Sequence, residues 1–435
     1  EMDAGALQKL IASGNAGLAG WAELAQLAGQ LRDRHDELEP AINEWVAAHP
    51  GHAAIPVITG EILTASRLIG GARDQVALLL PLNGQFARVA AAIRDGFLLR
   101  MLMRGISHPR VTVIDTTTEN VVDRYAEAVR SGAQFIVGPL EKEAVAKLAG
   151  ISMQVPTLAL NQLPAPPTGA AAPDQPDPML FRFSLSPEDE AVDAARRAHA
   201  DGYRRALIVQ PRNEWGERLV AAFAGEWQRL GGSVLERVVY NQDGADYAGI
   251  TRELFNLDSS ELRGNVLRQD LGVPIHSGAR KRRDADMVFM PVNPGSARQI
   301  MPHFRYFGAD SVPVYATAAV FAGAPNPRLD QDIDGVHFPD IPWVASGGAA
   351  ASEFQQLLDH EFPASATGLR RLYAFGADAY EVMVQMSQFT RKRGLTLAGE
   401  TGAIYLDPDG QFHRRLSWSV FSGGVPAPLD TVRAP

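Results

Sequence analysis

The most restrictive feature of this sequence is a continuous apolar run at residues 76–82, Val-Ala-Leu-Leu-Leu-Pro-Leu. A strand without polar alternation is typical of a parallel sheet that helices cover on both faces. Three further strand-like runs follow at residues 111–115, 135–138 and 157–160, with helical patterns between them. Four strands joined by three helical crossovers predict a doubly wound α/β lobe.

A second alternating region follows a proline- and alanine-rich stretch, which we interpret as a surface loop or linker. Its strands are predicted at residues 206–210, 234–240, 287–292 and 313–317, with helices between them. This pattern predicts a second lobe of the same class. In a bilobed protein of this kind, a ligand cleft is expected at the carboxyl ends of the strands, between the lobes.

The rest of the chain is predicted to contain a strand-like stretch, two helices and two final strands, at residues 337–343, 352–361, 369–389, 402–406 and 416–421. Asp407-Pro408-Asp409-Gly410 lies between the last two strands and predicts a hairpin turn.

Residues 1–72 are predicted to be helical, because apolar side chains recur there at a spacing of three to four residues. His49-Pro50-Gly51 is typical of the end of a helix. Two interpretations remain open for this segment. It resembles the last units of a helical-repeat array, or its helices simply pack against the main body of the protein.

Composition excludes several classes of function. The chain has no cysteine, which excludes thiol catalysis, disulfides and cysteine-ligated metal sites. A net charge of −9 argues against a general nucleic-acid binder. No apolar run is long enough to span a membrane. The sequence begins at Glu1, so we expect that an export signal and a lipid-bearing cysteine would have been removed.

Motifs of catalysis and cofactor binding are missing as well. No G-x-G-x-x-G follows the first strand, and the sequence has no P-loop, H-E-x-x-H or G-x-S-x-G motif. The ten histidines are scattered, and His49 and His52 flank a turn. We therefore expect no catalytic residue, no bound metal and no cofactor.

Polar residues that follow the predicted strands are the candidates for lining the cleft between the lobes. Helix N-termini and polar side chains at such positions can receive a polar or anionic ligand, although the same residue types also make turns. The candidates are Asn83, Gln85, Asp115, Thr116, Pro139, Asn161, Asn213, Glu214, Trp215, Asn293 and Thr317.

The densest charge run is Arg280, Lys281, Arg282 and Arg283. It is interpreted either as a solvated loop or as a docking patch for an acidic partner surface or an anionic polymer.

Seven strings resemble one known family. They are VALLLPLNGQFARVAAAIRDGF, IVGPLEKEAVAKLA, PTLALNQ, FSLSPEDEA, PVYATAAV, DIPWV and LRRLYAFGADAY. Together they resemble the C-terminal domain of the penicillin-binding protein activator family, the LpoA-type outer-membrane lipoproteins. The resemblance covers about residues 76–420, and the helices at residues 21–52 resemble the end of that family's helical-repeat domain. The helical part is shorter here than in members with a full repeat domain.

The resemblance implies a bilobed type I periplasmic-binding-protein-like fold, preceded by a short all-α segment. The expected domains are residues 1–72 for the helical segment, 73–182 plus 345–398 for lobe 1, and 183–344 plus 399–435 for lobe 2. The resemblance also implies a periplasmic location at the inner face of the outer membrane.

The family's activity would be that of a non-catalytic regulator. Such a regulator binds a bifunctional class A penicillin-binding protein and stimulates its peptidoglycan transpeptidase activity, and peptidoglycan itself is a further expected partner. The alternative is a periplasmic solute-binding protein. It would hold an amino-acid-like ligand with Asp115 or Glu214 facing the ammonium group and Asn83 or a helix N-terminus facing the carboxylate.

Overall fold

The computed structural model describes residues 4–12, 15–31, 35–58, 74–105, 109–117, 120–164, 177–271, 280–345, 352–362, 366–392 and 394–429. The chain forms two compact units. The first contains Glu1–Ser184, Phe375–Leu397 and Tyr405–His413, and the second contains Leu185–Ala374, Ala398–Ile404 and Arg414–Pro435. The domain bounds given above stay a prediction.

The N-terminal segment is helical, with helices at Ala4–Ile11, Ala16–Gln30 and His35–Ala48 and a short turn of helix at Ile55–Val57. Its core contains Leu24, Leu31, Ile42, Trp45, Ala54 and Ile58. The predicted stop is confirmed, because the third helix ends at Ala48 and Gly51 adopts a left-handed φ of 81°. The part of this segment at residues 59–72 lies outside the described residues.

One sheet has eight strands: β1 Gln75–Leu80, β2 Arg110–Asp115, β3 Phe135–Val137, β4 Thr157–Ala159, β5 Leu180–Phe183, β11 Thr396–Gly399, β12 Gly402–Leu406 and β13 Gln411–Arg415. Their order across the sheet is β11-β12-β13-β5-β4-β3-β1-β2. Strand β1 pairs in parallel with β2 and β3, so that Val76 lies opposite both Val111 and Phe135. The parallel pairing continues from β3 through β4 to β5 and β13. Five of the six residues of β1 are buried, as its apolar run predicts.

The helices of the first unit are Ala87–Met103, Val121–Arg130 and Lys142–Ala149, with a 3₁₀ turn at Gly84–Phe86. The helix Ala366–Arg391 begins in the second unit and continues into the first. Leu79, Tyr125, Ile136, Val145 and Leu148 belong to one buried cluster between the sheet and its helices.

The other sheet has seven strands: β6 Arg205–Pro211, β7 Ser233–Tyr240, β8 Met287–Phe289, β9 Val314–Tyr315, β10 Val336–Asp340, β14 Ser417–Ser422 and β15 Val425–Pro428. Their order across the sheet is β15-β14-β10-β9-β8-β6-β7. The pairs from β7 to β10 are parallel, whereas β14 and β15 are antiparallel additions at one edge. In the core, the rings of Phe223 and Phe289 stack with their centroids 4.0 Å apart.

The helices of the second unit are Pro187–Ala200, Glu214–Arg229, Tyr247–Leu254, Leu257–Leu271, Pro294–Tyr306 and Glu353–Glu361. Shorter helical turns lie at Ala318–Val320, Pro327–Asp330, Gln331–Ile333 and Pro342–Ala345. In both sheets the first strand lies between the second and the third, the order of a doubly wound lobe. The predicted fold class is therefore confirmed. Among the described residues, no helix is both long enough and apolar enough to span a bilayer.

The sequence pattern misses four strands, β5, β11, β13 and β15. Strand β5 is only four residues long and contains Arg182, whose guanidinium donates to the carbonyl of Asp409. Strand β13 directly follows the predicted turn, whose Asp407 Oδ1 accepts hydrogen bonds from the amides of Asp409 and Gln411 at 2.9 and 2.8 Å. The turn therefore joins β12 to β13 and not to the strand predicted at residues 416–421.

Candidate functional site

A cavity of about 1030 Å³ opens in the first unit, at the carboxyl ends of β1, β2, β3 and β4. The strand order changes direction between β1 and β3, and ligands of doubly wound folds bind beside such a point. The lining includes three of the predicted cleft residues, Gln85, Thr116 and Asn161. We call this space the β1–β4 cavity.

Asp115, at the end of β2, fixes the loops beside this cavity. Its carboxylate accepts hydrogen bonds from the amides of Leu82 and Thr117, at 2.9 and 3.0 Å, and from Asn83 Nδ2 at 2.9 Å. The Thr117 hydroxyl also donates to it. The Thr117 side chain is the main reason that the pKa of Asp115 falls to about 2. A carboxylate with four donors is ionised at neutral pH and already engaged, so it positions the loops more readily than it binds a ligand ammonium group.

Two more predicted residues hold the adjoining loops. Asn161 Nδ2 donates to the Leu140 carbonyl at 2.8 Å. Pro139 is buried and follows Gly138 through a cis peptide bond, and its carbonyl accepts from the Leu160 amide at 2.9 Å. Gly138 has a φ of 107°, and a Cβ there would lie 2.1 Å from the Leu79 carbonyl oxygen. Only glycine therefore fits this contact between β1 and the end of β3.

Because Asp115 and Asn161 already bond to the neighbouring loops, the groups of the β1–β4 cavity that could bind a ligand are mainly other residues. The Thr116 hydroxyl is buried and has no hydrogen-bond partner among the described residues, although Thr116 lines the β1–β4 cavity. Lys142 and Lys147 line it beside Glu141 and Glu143, so the charges balance. Such a wall suits a neutral or zwitterionic polar molecule better than a strong anion. Within the described ranges, no group of three or more acidic or histidine side chains is arranged to hold a metal ion.

The predicted cleft residues of the second unit have local structural roles. Asn213 caps the helix Glu214–Arg229 by accepting from the Gly216 amide at 2.7 Å, and Asn293 caps Pro294–Tyr306 through the Ser296 amide at 2.9 Å.

The other three second-unit candidates also have defined surroundings. Glu214 pairs with Arg218 at 3.1 Å, and Trp215 packs against the hydrophobic core. Thr317 is fully buried, and its hydroxyl has no partner among the described residues. The assignment of all eleven residues to one cleft stays a prediction.

Sequence reasoning misses a buried charged cluster in the second unit. Glu190, Asp340, Arg371 and Arg414 surround a cavity of about 20 Å³. Arg371 Nε donates to Asp340 Oδ1 at 2.8 Å, and Glu190 accepts from the Ala318 amide at 3.0 Å. Burial raises the pKa of Glu190 to about 7. The available signal was that Asp340 and Arg371 lie in two of the family-like strings, DIPWV and LRRLYAFGADAY.

The basic run is partly engaged within the second unit. Arg282 is half-buried and donates to Asp284 Oδ1 at 2.8 Å, and it also lies 3.6 Å from Glu236 Oε2. Lys281 Nζ donates to the Ser311 hydroxyl. Arg280 and Arg283 are exposed. Their role in docking stays a prediction, and these two have the side chains most available for it.

Two doubly wound lobes, with a cavity at the strand ends of the first, define a periplasmic-binding-protein-like chain. The chain belongs to the family described as "LppC putative lipoprotein", which matches residues 1–424. A relative from Photobacterium profundum, named penicillin-binding protein activator LpoA, is 31% identical over 412 residues, covering 93% of this chain and 65% of the relative. The chain thus spans slightly less than two thirds of this relative's length. The family resemblance seen in the sequence is confirmed.

Solved structures agree with this assignment. The LpoA C-domain from Haemophilus influenzae, described as a regulator of PBP1A, is 28% identical with a TM-score of 0.63, covering 82% of this chain and 99% of that one. A Chromobacterium violaceum protein described as a "putative branched-chain amino acid ABC transporter" is 28% identical with a TM-score of 0.57, covering 80% of this chain and 99% of that one.

Proposed function

We propose that this chain binds a bifunctional class A penicillin-binding protein and stimulates its peptidoglycan transpeptidation, without catalysing a reaction itself. The observation that carries the proposal is its membership of a family whose relatives, matched over 93% of this chain, are named penicillin-binding protein activators.

An activator of this kind acts through a coupling free energy. It has to bind the active state of the synthase more tightly than the inactive state, since equal affinity for both states shifts nothing. A coupling of about 1–3 kcal/mol would raise the equilibrium ratio of active to inactive synthase by about 5–150-fold. The same coupling predicts that substrate which favours the active state also tightens binding of this chain.

A reconstituted reaction tests the proposal. The purified chain is added to the class A synthase of the same organism with lipid-linked substrate, and peptide crosslinks are counted with and without it. We expect saturable binding and a several-fold rise in crosslinking. Two controls are the chain with substrate but no synthase, which tests for catalysis of its own, and the heat-unfolded chain. No binding and no change in rate would refute the proposal.

The proposed location is the periplasm, with attachment to the inner face of the outer membrane through a lipid. This location brings the chain to the peptidoglycan, which is the second proposed partner. Fractionation of cells that express the natural protein tests it, and recovery in the cytoplasmic fraction would contradict it. Pelleting with purified sacculi tests the contact with peptidoglycan.

The β1–β4 cavity favours a second candidate function, the capture of a small polar solute. Its volume of about 1030 Å³ would hold an amino acid or a short peptide, and the buried Thr116 hydroxyl lacks a partner among the described residues. A ligand at 100 times its dissociation constant would stabilise the fold by about 2.7 kcal/mol. A thermal-shift panel of amino acids and muropeptides tests this function, and Thr116→Val should remove any shift. No shift with any compound excludes it.

A further inference from the structure

We propose that the helix Leu257–Leu271 and the basic run beside it form one docking surface for an acidic, partly apolar surface of another protein. The inference rests on the proposed function, because the partner we assign is the class A synthase. It goes beyond that function by naming where contact occurs and through which chemistry. We call this the helix 257–271 surface.

The outer part of this helix leaves its apolar side chains in water. Leu262, Val266 and Leu267 are 64%, 55% and 50% exposed. Leu262 and Val266 lie one turn apart and therefore share a face. The helix begins at a fully buried Leu257, but every residue from 261 to 270 except Gly264 is exposed. Three large apolar residues within six positions are more than the scattered single ones that a surface normally shows.

The basic run is fixed beside this helix by the backbone. The Arg280 amide donates to the Ser260 hydroxyl at 3.0 Å, and the Arg282 amide donates to the Phe255 carbonyl at 3.0 Å. Ser260 lies on the helix, and Phe255 lies two residues before its first residue, Leu257. The exposed side chains of Arg280 and Arg283 therefore flank the helix on the side of Ser260, which Leu267 shares, while Leu262 and Val266 lie about 120–160° further round the helix axis. A partner that contacts both groups has to cover the exposed outer turns of this helix.

Acidic groups near the start of the helix are already neutralised. Arg252 lies 2.7 Å from Glu261 Oε2 and also donates to Asp258 Oδ1 at 2.6 Å. The guanidinium of Arg252 also lies 5.8 Å from the ring centroid of Phe307. Tyr306, the neighbour of Phe307, is 83% exposed and adds an aromatic side chain beside this site.

The charges of residues 262–283 indicate which kind of partner binds the helix 257–271 surface. The only acid in the sequence from Leu262 to Arg283 is Asp270, and the basic residues are Arg263, Arg268, Arg280, Lys281, Arg282 and Arg283. This basic stretch lies in a chain whose net charge is −9, so it is a local exception that complements an acidic surface. A glycan polymer would use the charges but would leave Leu262 and Val266 in water. The apolar residues therefore favour a protein as the partner.

The apolar half of the surface is tested with the double variant Leu262→Gln, Val266→Gln in the full chain. Glutamine keeps the helix propensity, so the variant should unfold at the wild-type temperature. We expect its affinity for the immobilised class A synthase to fall by about tenfold or more, because the two glutamines no longer supply the apolar area that the partner covers. The matched control is Leu102→Gln, since Leu102 is 62% exposed and lies in the first unit.

The basic half is tested with Arg280→Ala, Arg283→Ala, and the control is the exposed Arg328→Ala. We expect slower association and a weaker salt dependence, with no change in the control. Variants that bind and activate like wild type would overturn the surface while leaving the proposed function intact. A wild-type chain that does not bind the synthase would overturn both.

The same experiments would also show whether the surface binds one of two other partners instead. If only Arg280→Ala, Arg283→Ala weakens pelleting with sacculi while both double variants bind the synthase normally, the surface serves peptidoglycan and the proposal is wrong. A wild-type dimer that Leu262→Gln, Val266→Gln abolishes in sedimentation would assign the surface to a second copy of the chain, which also overturns the proposal.

Discussion

The replacement of Gly376 by alanine tests how the helix Ala366–Arg391 packs in the first unit. Gly376 lies where this helix meets the helix Ala87–Met103. A Cβ at residue 376 would lie 2.0 Å from the Ile93 carbonyl oxygen and 2.9 Å from the Phe97 amide nitrogen. Both atoms are backbone, so no side-chain rotation can relieve the contact and the helices would have to separate.

Two opposing terms set the size of the effect. Alanine improves helix propensity over glycine by about 1 kcal/mol. Overpacking of a close contact costs about 1–3 kcal/mol, and the upper end applies here because only backbone can move. The net destabilisation should be about 2 kcal/mol. For a unit of this size, that corresponds to a fall of about 4–8 °C in the melting temperature.

Differential scanning calorimetry measures the change, and Gly225→Ala is the matched control. Gly225 lies in the helix Glu214–Arg229, where an added Cβ would meet nothing within 4 Å. The control should therefore raise stability by about 1 kcal/mol through propensity alone. A melting temperature for Gly376→Ala that equals or exceeds that of wild type would refute the reasoning from helix contact.

Three further predictions concern buried or engaged carboxylates. Because burial raises the pKa of Glu190 to about 7, its stabilising contribution is complete below about pH 4.5 and is lost as the pH rises through 7. Between pH 5 and 8, the free energy of unfolding, measured with urea, should fall by about 1–3 kcal/mol less in Glu190→Gln than in the wild type. An equal fall in both proteins would contradict this prediction. Asp340→Asn should lower the free energy of unfolding of the second unit by about 3 kcal/mol, because Arg371 then loses its buried partner. A loss below about 1 kcal/mol in urea unfolding would show that the pair is dispensable. Asp115→Ala should speed hydrogen exchange at the Leu82 and Thr117 amides, whose acceptor it removes, and unchanged protection would argue against that role.

Helices and strands that show a clear hydrophobic pattern within their own residues could be predicted from the sequence. Strand β1 is buried at five consecutive residues, and its continuous apolar run shows this directly. The two lobes follow from the alternation of such runs with helical patterns. Strand β5 could not be predicted, because its four residues include Arg182, whose guanidinium donates to the Asp409 carbonyl 227 positions away.

Much of the candidate site depends on contacts between distant residues. The Asp340–Arg371 pair spans 31 positions, and the bond from the Ala318 amide to Glu190 spans 128. Polar residues after a strand are ambiguous for a related reason. The sequence places Asp115 and Asn161 correctly at strand ends, but only the structure shows that their polar groups already hold loops.

The two candidate functions would use different parts of the molecule, the helix 257–271 surface for a protein partner and the β1–β4 cavity for a solute. In the β1–β4 cavity, Asp115 and Asn161 are already bonded, so a solute would meet the Thr116 hydroxyl and the two lysines beside apolar residues such as Phe86 and Leu140. On the helix 257–271 surface, Leu262 and Val266 remain in water, and covering them gains about 25 cal/mol for each Å² of apolar area. A partner that covers these two side chains displaces none of the hydrogen bonds described there. The exposed apolar side chains thus favour the proposed contact with another protein, whereas the open cavity keeps solute capture as the second candidate function.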